Sequence, residues 1–125
     1  MINEKLMEVL TNPSDGAIAI VTQGVSEPHV VNSWNSYVNV TPEGKLLIPV
    51  GGMMETEKNI GLNKMVKLTI ANREVQGKMY KGTGFLIKGT ADFLNDGSDF
   101  DMMKAKFPWA RAILAITVES ANQTL

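Results

Sequence analysis

Pro28-His29-Val30-Val31-Asn32-Ser33-Trp34-Asn35-Ser36-Tyr37-Val38-Asn39-Val40 has apolar, β-branched flanks around a polar centre. Asn32, Ser33, Asn35 and Ser36 surround Trp34, and Tyr37 follows. A buried strand does not ordinarily fill its middle with short hydrogen-bonding side chains. A strand facing a flat, polar ligand does. The spacing predicts one long strand ending near Val40.

The neighbouring segments set this strand in a sheet. Thr41-Pro42-Glu43-Gly44 has Pro second and Gly fourth, a type I turn signal. It predicts a hairpin between the long strand and residues 45–50. Gly51-Gly52 ends that second strand, and residues 53–63 have a helical pattern. Upstream, Ile2, Leu6, Val9 and Leu10 recur at helical spacing over residues 2–11. Asn12-Pro13-Ser14-Asp15-Gly16 stops that helix, and residues 17–22 read as a buried strand. Downstream, Val66, Leu68 and Ile70 alternate with Lys67 and Thr69 in a half-buried strand. Residues 72–84 read as a polar, Gly-rich connection. Residues 85–94 read as a strand in which Gly89 marks a bulge or a close approach. Residues 98–107 predict a short helix and residues 111–120 a last strand. Six strands and three short helices that do not alternate favour a mainly β, antiparallel barrel with flanking helices. The expected organisation is a single domain over residues 1–125.

Composition narrows the chemistry. The chain has 125 residues, 44% hydrophobic and 20% charged, with formal net charge -1 and no basic block. Nucleic acid and anionic membrane are therefore not expected as partners. There is no cysteine and only one histidine, His29. Thiolate metal sites, cysteine nucleophiles and disulfides are excluded, and a histidine-based metal site is a poor fit. No run approaches membrane-spanning length and the N-terminus carries no apolar leader, so a cytoplasmic location is expected.

Few residues stand out for side-chain chemistry, but several could hold a ligand. Pro49-Val50-Gly51-Gly52-Met53 runs from a strand through two glycines into a helix. Paired glycines let a ligand touch the backbone, and a helix start attracts a phosphate. A plain strand-to-helix turn explains the same pattern, and both readings stay open. Trp34 and Trp109 are the two tryptophans, and each could flank a ring or simply fill space. Ser33 and Ser36 lack the G-x-S-x-G frame of a hydrolase, and no carboxylate pair has a motif's spacing. No catalytic residue is assigned. Such a chain suits a protein whose bound cofactor is the reactive part.

Five segments in order resemble one family. They are Pro28 to Tyr37, Pro49 to Met53, Gly82-Thr83-Gly84-Phe85-Leu86-Ile87-Lys88-Gly89, Trp109-Ala110-Arg111-Ala112 and the ending Gln123-Thr124-Leu125. Together they resemble the small FMN-binding proteins of the pyridoxamine 5′-phosphate oxidase-like, split-barrel flavin family. The resemblance covers almost the whole chain. It implies a six-stranded antiparallel split barrel, and a homodimer holding FMN non-covalently near the subunit interface. On that reading Asn32, Ser33, Trp34, Asn35 and Ser36 serve the phosphate, the ribityl chain and the ring edge. Backbone groups of Pro49, Val50, Gly51 and Gly52 lie along the isoalloxazine, beside Met53. Thr56 reaches the phosphate, Trp34 and Trp109 flank the ring, and Leu125 shields it from the other subunit. Where the family pattern has a Lys, this chain has Glu55; Lys58, three residues on, is the nearest replacement charge. Asp15 matches an acidic position of the family. A negative charge there, near the flavin of the neighbouring subunit, would lower its reduction potential.

The expected function is electron transfer through FMN, with an unknown redox partner protein or small substrate. A flavin reductase or oxidase-like enzyme acting with NAD(P)H is the alternative. A flavin carrier without redox duty is a third class.

Overall fold

The computed structural model describes residues 2–125; Met1, at the end searched for a leader, lies outside the described residues. Asn3 opens α1 (Glu4–Thr11), its side-chain oxygen accepting the Leu6 N–H at 2.7 Å. Leu6, Val9 and Leu10 then share one buried face. After the turn come β1 (Ala17–Gln23), β2 (Pro28–Trp34), a 3₁₀ turn (Asn35–Tyr37), β3 (Asn39–Val40) and β4 (Leu46–Val50). α2 (Met54–Leu62), β5 (Met65–Gln76), β6 (Lys81–Leu94), α3 (Ser98–Lys106) and β7 (Ala112–Gln123) complete the chain.

The strands form one antiparallel sheet in the order β2-β1-β5-β6-β7-β4-β3. β2 and β3 are therefore its two edges, although they are neighbours in sequence. The five Cα steps from Trp34 to Asn39 reach about 18 Å at full extension, and the 3₁₀ turn shortens them. A seven-stranded sheet with edges tied so closely must curl until they nearly meet. No ladder joins β2 to β3, so the barrel closes around a split.

Inside it, Ile18, Ile20, Ile48, Leu68, Ile70, Phe85, Ile87, Leu114 and Ile116 form one core with α1 and with Ile60 of α2. Outside it, α3 packs Met103 over Leu47, Ile113 and Ala115. β4 is buried on both faces, which accounts for its unbroken apolar run.

The structure has seven strands where the sequence predicts six. The expected long strand over residues 28–40 breaks at the 3₁₀ turn, because the backbone there crosses from one sheet edge to the other. Residues 72–84 are largely strand: β5 and β6 extend past the core as a hairpin around residues 77–80. Gly89 sits at a bulge, as expected. The β6–β7 register shifts between Lys88 and Gly89, and a Cβ at Gly89 would lie 2.1 Å from the Thr117 carbonyl oxygen.

Candidate functional site

The polar centre of the opening stretch reaches the surface where the barrel splits. There Asn32, Ser33, Trp34 and Tyr37 line a recess with Pro49, Gly51, Gly52, Met53 and Trp109. Its volume is about 210 Å³. Two elements at opposite ends of the sheet order meet here because β2 ends the sheet on one side and β4 lies next to the other edge. Trp34 is 48% exposed and Trp109 51%, so neither indole serves as core filling. Tyr37, Phe107 and Trp109 contact one another with centroids 5.3 to 5.8 Å apart, Phe107 and Trp109 edge to face and Tyr37 tilted against both, and this cluster braces Trp109. Tyr37 is a lining residue that the sequence reading assigned no role, although it stands in the stretch that reading began from.

The two glycines are informative because the fold does not require them. Positive φ occurs at Gly44, Gly82 and Gly97 among the glycines, not at Gly51 or Gly52. A Cβ at Gly52 would meet nothing within 4 Å, and one at Gly51 would meet only the Trp109 ring, at 3.5 Å. Gly61 is open in the same way, but it stands alone in α2 and lines no recess. The Gly51–Gly52 backbone is thus bare on the recess side. Met53, next in line, has φ 57 and ψ 38, a left-handed conformation that costs a non-glycine residue about 1–2 kcal/mol. Arg111 holds this turn, its guanidinium bonded to the Gly51 and Gly52 carbonyls and paired with Glu57.

The other sequence-predicted residues divide between the recess and the frame. Asn32 is exposed at the recess, and its amide also donates to the Ile18 carbonyl at 3.1 Å. Asn35 does not line the recess. It is buried, its amide donates to Ala71 O at 2.8 Å and Val9 O at 3.4 Å, and its N–H donates to Gly16 O at 2.8 Å. It ties α1, β5 and the start of β1 to the barrel closure. Ser36 also turns away from the recess. Its hydroxyl and N–H donate to Asp15 at 2.6 and 2.9 Å. Partial burial works against the Asp15 charge. The Ser36 hydroxyl, then the Ser36 and Gly16 N–H groups, outweigh it and hold the carboxyl below its usual range.

The Val50 side chain is buried in the core, and its carbonyl accepts the Arg111 N–H at 2.9 Å. Glu55 and Lys58 open onto a separate polar recess, with Ser26, Glu27 and His29. Glu55 therefore faces the β1–β2 loop rather than the glycine turn. Thr56 is 0% exposed and its hydroxyl has no partner among the described residues. Leu125 does not line the recess in its own chain. It lines an apolar groove of about 620 Å³ with Met79, Tyr80 and Thr83. The Leu125 carbonyl is anchored by the Thr83 hydroxyl at 2.7 Å.

Comparison with known proteins gives this geometry a context. No protein-family model matches the chain. It is 48% identical to the FMN-binding protein of Nitratidesulfovibrio vulgaris (strain DSM 19637 / Miyazaki F), across the full length of both chains. Among solved structures, an FMN-binding protein of Syntrophomonas wolfei subsp. wolfei superposes with TM-score 0.74 at 13% identity, covering 98% of this chain and 85% of that one. A Clostridium acetobutylicum protein of the pyridoxinephosphate oxidase family superposes with TM-score 0.68 at 15% identity, covering 98% and 90%. At those identities the two structures establish the fold alone, the mainly β split barrel. The full-length identity establishes the kinship: the chain belongs to the family of small FMN-binding proteins.

Proposed function

We propose that this chain binds FMN non-covalently, as a homodimer, and serves in electron transfer. The observation that carries the reading is the bare Gly51–Gly52 backbone between two half-exposed tryptophans. The fold has no need of glycine at either position, whereas a flat ring lying along the turn does. The name of the 48% identical relative supports FMN as that ring's source. The unpartnered Thr56 hydroxyl fits as well. A buried hydroxyl without a partner costs about 1–3 kcal/mol, which an acceptor such as a phosphate oxygen relieves once neighbouring side chains shift to admit it.

When bound, FMN supplies the electron chemistry. The residues of the chain hold and orient it. Trp34 and Trp109 offer flat apolar contacts, Asn32 and Ser33 offer hydrogen bonds at the wall, and the glycine turn offers backbone donors. Electron transfer needs no protein-held acid, in keeping with the few candidates for one.

A second copy is part of the proposal because one chain leaves the site shallow. Ligand pockets usually enclose about 300–1,000 Å³, against about 210 Å³ here. The exposed Met79, Tyr80 and Leu125 sit along an apolar groove suited to burial by a partner. Leu125, which does not line its own recess, is then free to cover another chain's.

The visible absorption spectrum of the purified protein tests the cofactor. Flavin bands at about one FMN per chain are expected. A colourless protein that takes up no added FMN refutes the reading. Sedimentation analysis tests the dimer. Stopped-flow mixing with NAD(P)H separates electron transfer from a reductase: steady turnover would favour the enzyme.

A further inference from the structure

Arg111 is not among the residues that line the recess, and it holds the glycine turn by its carbonyls. Its Nε is 3.1 Å from both the Gly51 and the Gly52 carbonyl oxygens, and its Nη2 is 2.6 Å from the latter. Nη1 pairs with the Glu57 carboxylate at 2.8 Å. Glu57 lies in the first turn of α2, and its N–H donates to the Met53 carbonyl at 2.9 Å. The Arg111 N–H bonds Val50 O at 2.9 Å. One residue thus joins the end of β4 through its backbone, and the turn and the start of α2 through its side chain.

A trans peptide is planar, so its C=O and N–H point in opposite directions. Holding the Gly51 and Gly52 carbonyls toward Arg111 turns the Gly52 and Met53 N–H groups away from it. Neither N–H has an acceptor among the described residues. A cation on the carbonyl also polarises the same peptide and makes its N–H a stronger donor. The planar fork of arginine can span two carbonyls, which the point charge of lysine cannot do in the same way. The left-handed Met53, following directly, is a strained conformation that needs such an external hold.

We infer that Arg111, itself held by Glu57, is a positioning residue: it aims and strengthens the Gly52 and Met53 N–H donors for a ligand acceptor in the recess. For the identity of that ligand the inference rests on the FMN reading; the orientation of the turn does not.

The test compares wild type, Arg111→Met, Arg111→Lys and Glu57→Gln as full-length proteins. FMN titration is read by flavin fluorescence, and the reduction potential by dye equilibration. Arg111→Met should weaken FMN binding about 10- to 100-fold and make the potential more negative, since weaker donors favour added electron density less. Arg111→Lys should fall between, and Glu57→Gln should have the smallest effect. An Arg111→Met protein with wild-type affinity and potential overturns the inference. If Arg111→Met does not fold, Arg111→Lys decides, and wild-type values in both measurements overturn it. Hydrogen exchange at the Gly52 and Met53 amides without FMN gives an independent readout. The rates should change in Arg111→Lys, and unchanged rates overturn the inference. If wild type takes up no FMN, the cofactor reading fails, and amide exchange alone decides the role of Arg111.

Discussion

Gly89 and Gly52 are the same residue for opposite reasons. A methyl at Gly89 would press into the backbone of β7, 2.1 Å from the Thr117 oxygen. A methyl at Gly52 would project into open space. The fold requires the first glycine; it does not require the second, which the proposed function assigns to a ligand. The same division runs through the opening stretch: Asn35 is bonded into the frame, while Asn32, Ser33 and Trp34 line the recess. Stability and ligand binding should therefore respond to different residues, even where those residues are close in sequence.

The frame side of this comparison gives the largest effects. Gly89→Ala should destabilise by about 3 kcal/mol, because the obstacle is backbone in a bulge and cannot swing away. Urea denaturation measures it; a variant within about 1 kcal/mol of wild type would show that the bulge can relax. Asn35→Ala should come next. It leaves the buried Val9 carbonyl and the part-buried Ala71 carbonyl without that donor, at a cost of about 2 kcal/mol. Any FMN affinity lost in Asn35→Ala should track the lost stability. An affinity loss with unchanged stability would move Asn35 to the ligand side.

Gly52→Ala breaks the comparison from the other direction. Its backbone is compatible with alanine, so stability should stay within about 0.5 kcal/mol of wild type, or rise slightly through the unfolded chain. FMN affinity should fall about tenfold or more, since the added methyl stands where the ring is proposed to lie. Unchanged affinity would mean that no ligand approaches the turn closely. Thermal melting and fluorescence titration on one preparation decide between the outcomes.

The sequence made the regular elements legible wherever burial leaves a period. The alternation of Val66, Leu68 and Ile70 and the hairpin strand over residues 45–50 both appear as expected. Residues 72–76 were hidden because the hairpin leaves the core there: Arg73, Glu74 and Gln76 are exposed, and only Asn72 and Val75 keep a buried pattern. The 3₁₀ break was hidden because sheet closure is a tertiary event, and β-branched flanks favour one continuous strand. At the site, Trp34, the glycine pair and Trp109 were legible as candidates, and the fold brings them to one recess. Asn35 and Ser36 could not be separated from Asn32 and Ser33, since all are short and polar. The partners that separate them, Asp15, Val9 and Ala71, lie far away in sequence. Arg111 carried no signal beyond its place beside Trp109, because its acceptors are backbone carbonyls.

Asp15 joins the two sides of the comparison, and its effect should be the smallest. It belongs to the frame through Ser36, and it also matches an acidic position of the family. The folded protein holds its carboxyl below the usual range. The stability it contributes is therefore present above the unfolded value of about 4 and is lost as pH falls through the lower folded value. Asp15→Asn should lower the urea midpoint slightly at pH 7, and the two proteins should converge as the medium is acidified past that range. A constant gap at every pH would mean that the amide side chain fails for steric reasons rather than for lack of charge. The reduction potential of bound FMN is the second readout. Removing the negative charge should make it less negative if Asp15 acts on the cofactor. A shifted pH–stability curve with an unchanged potential would leave Asp15 wholly to the frame, as an anchor for the turn that closes the barrel.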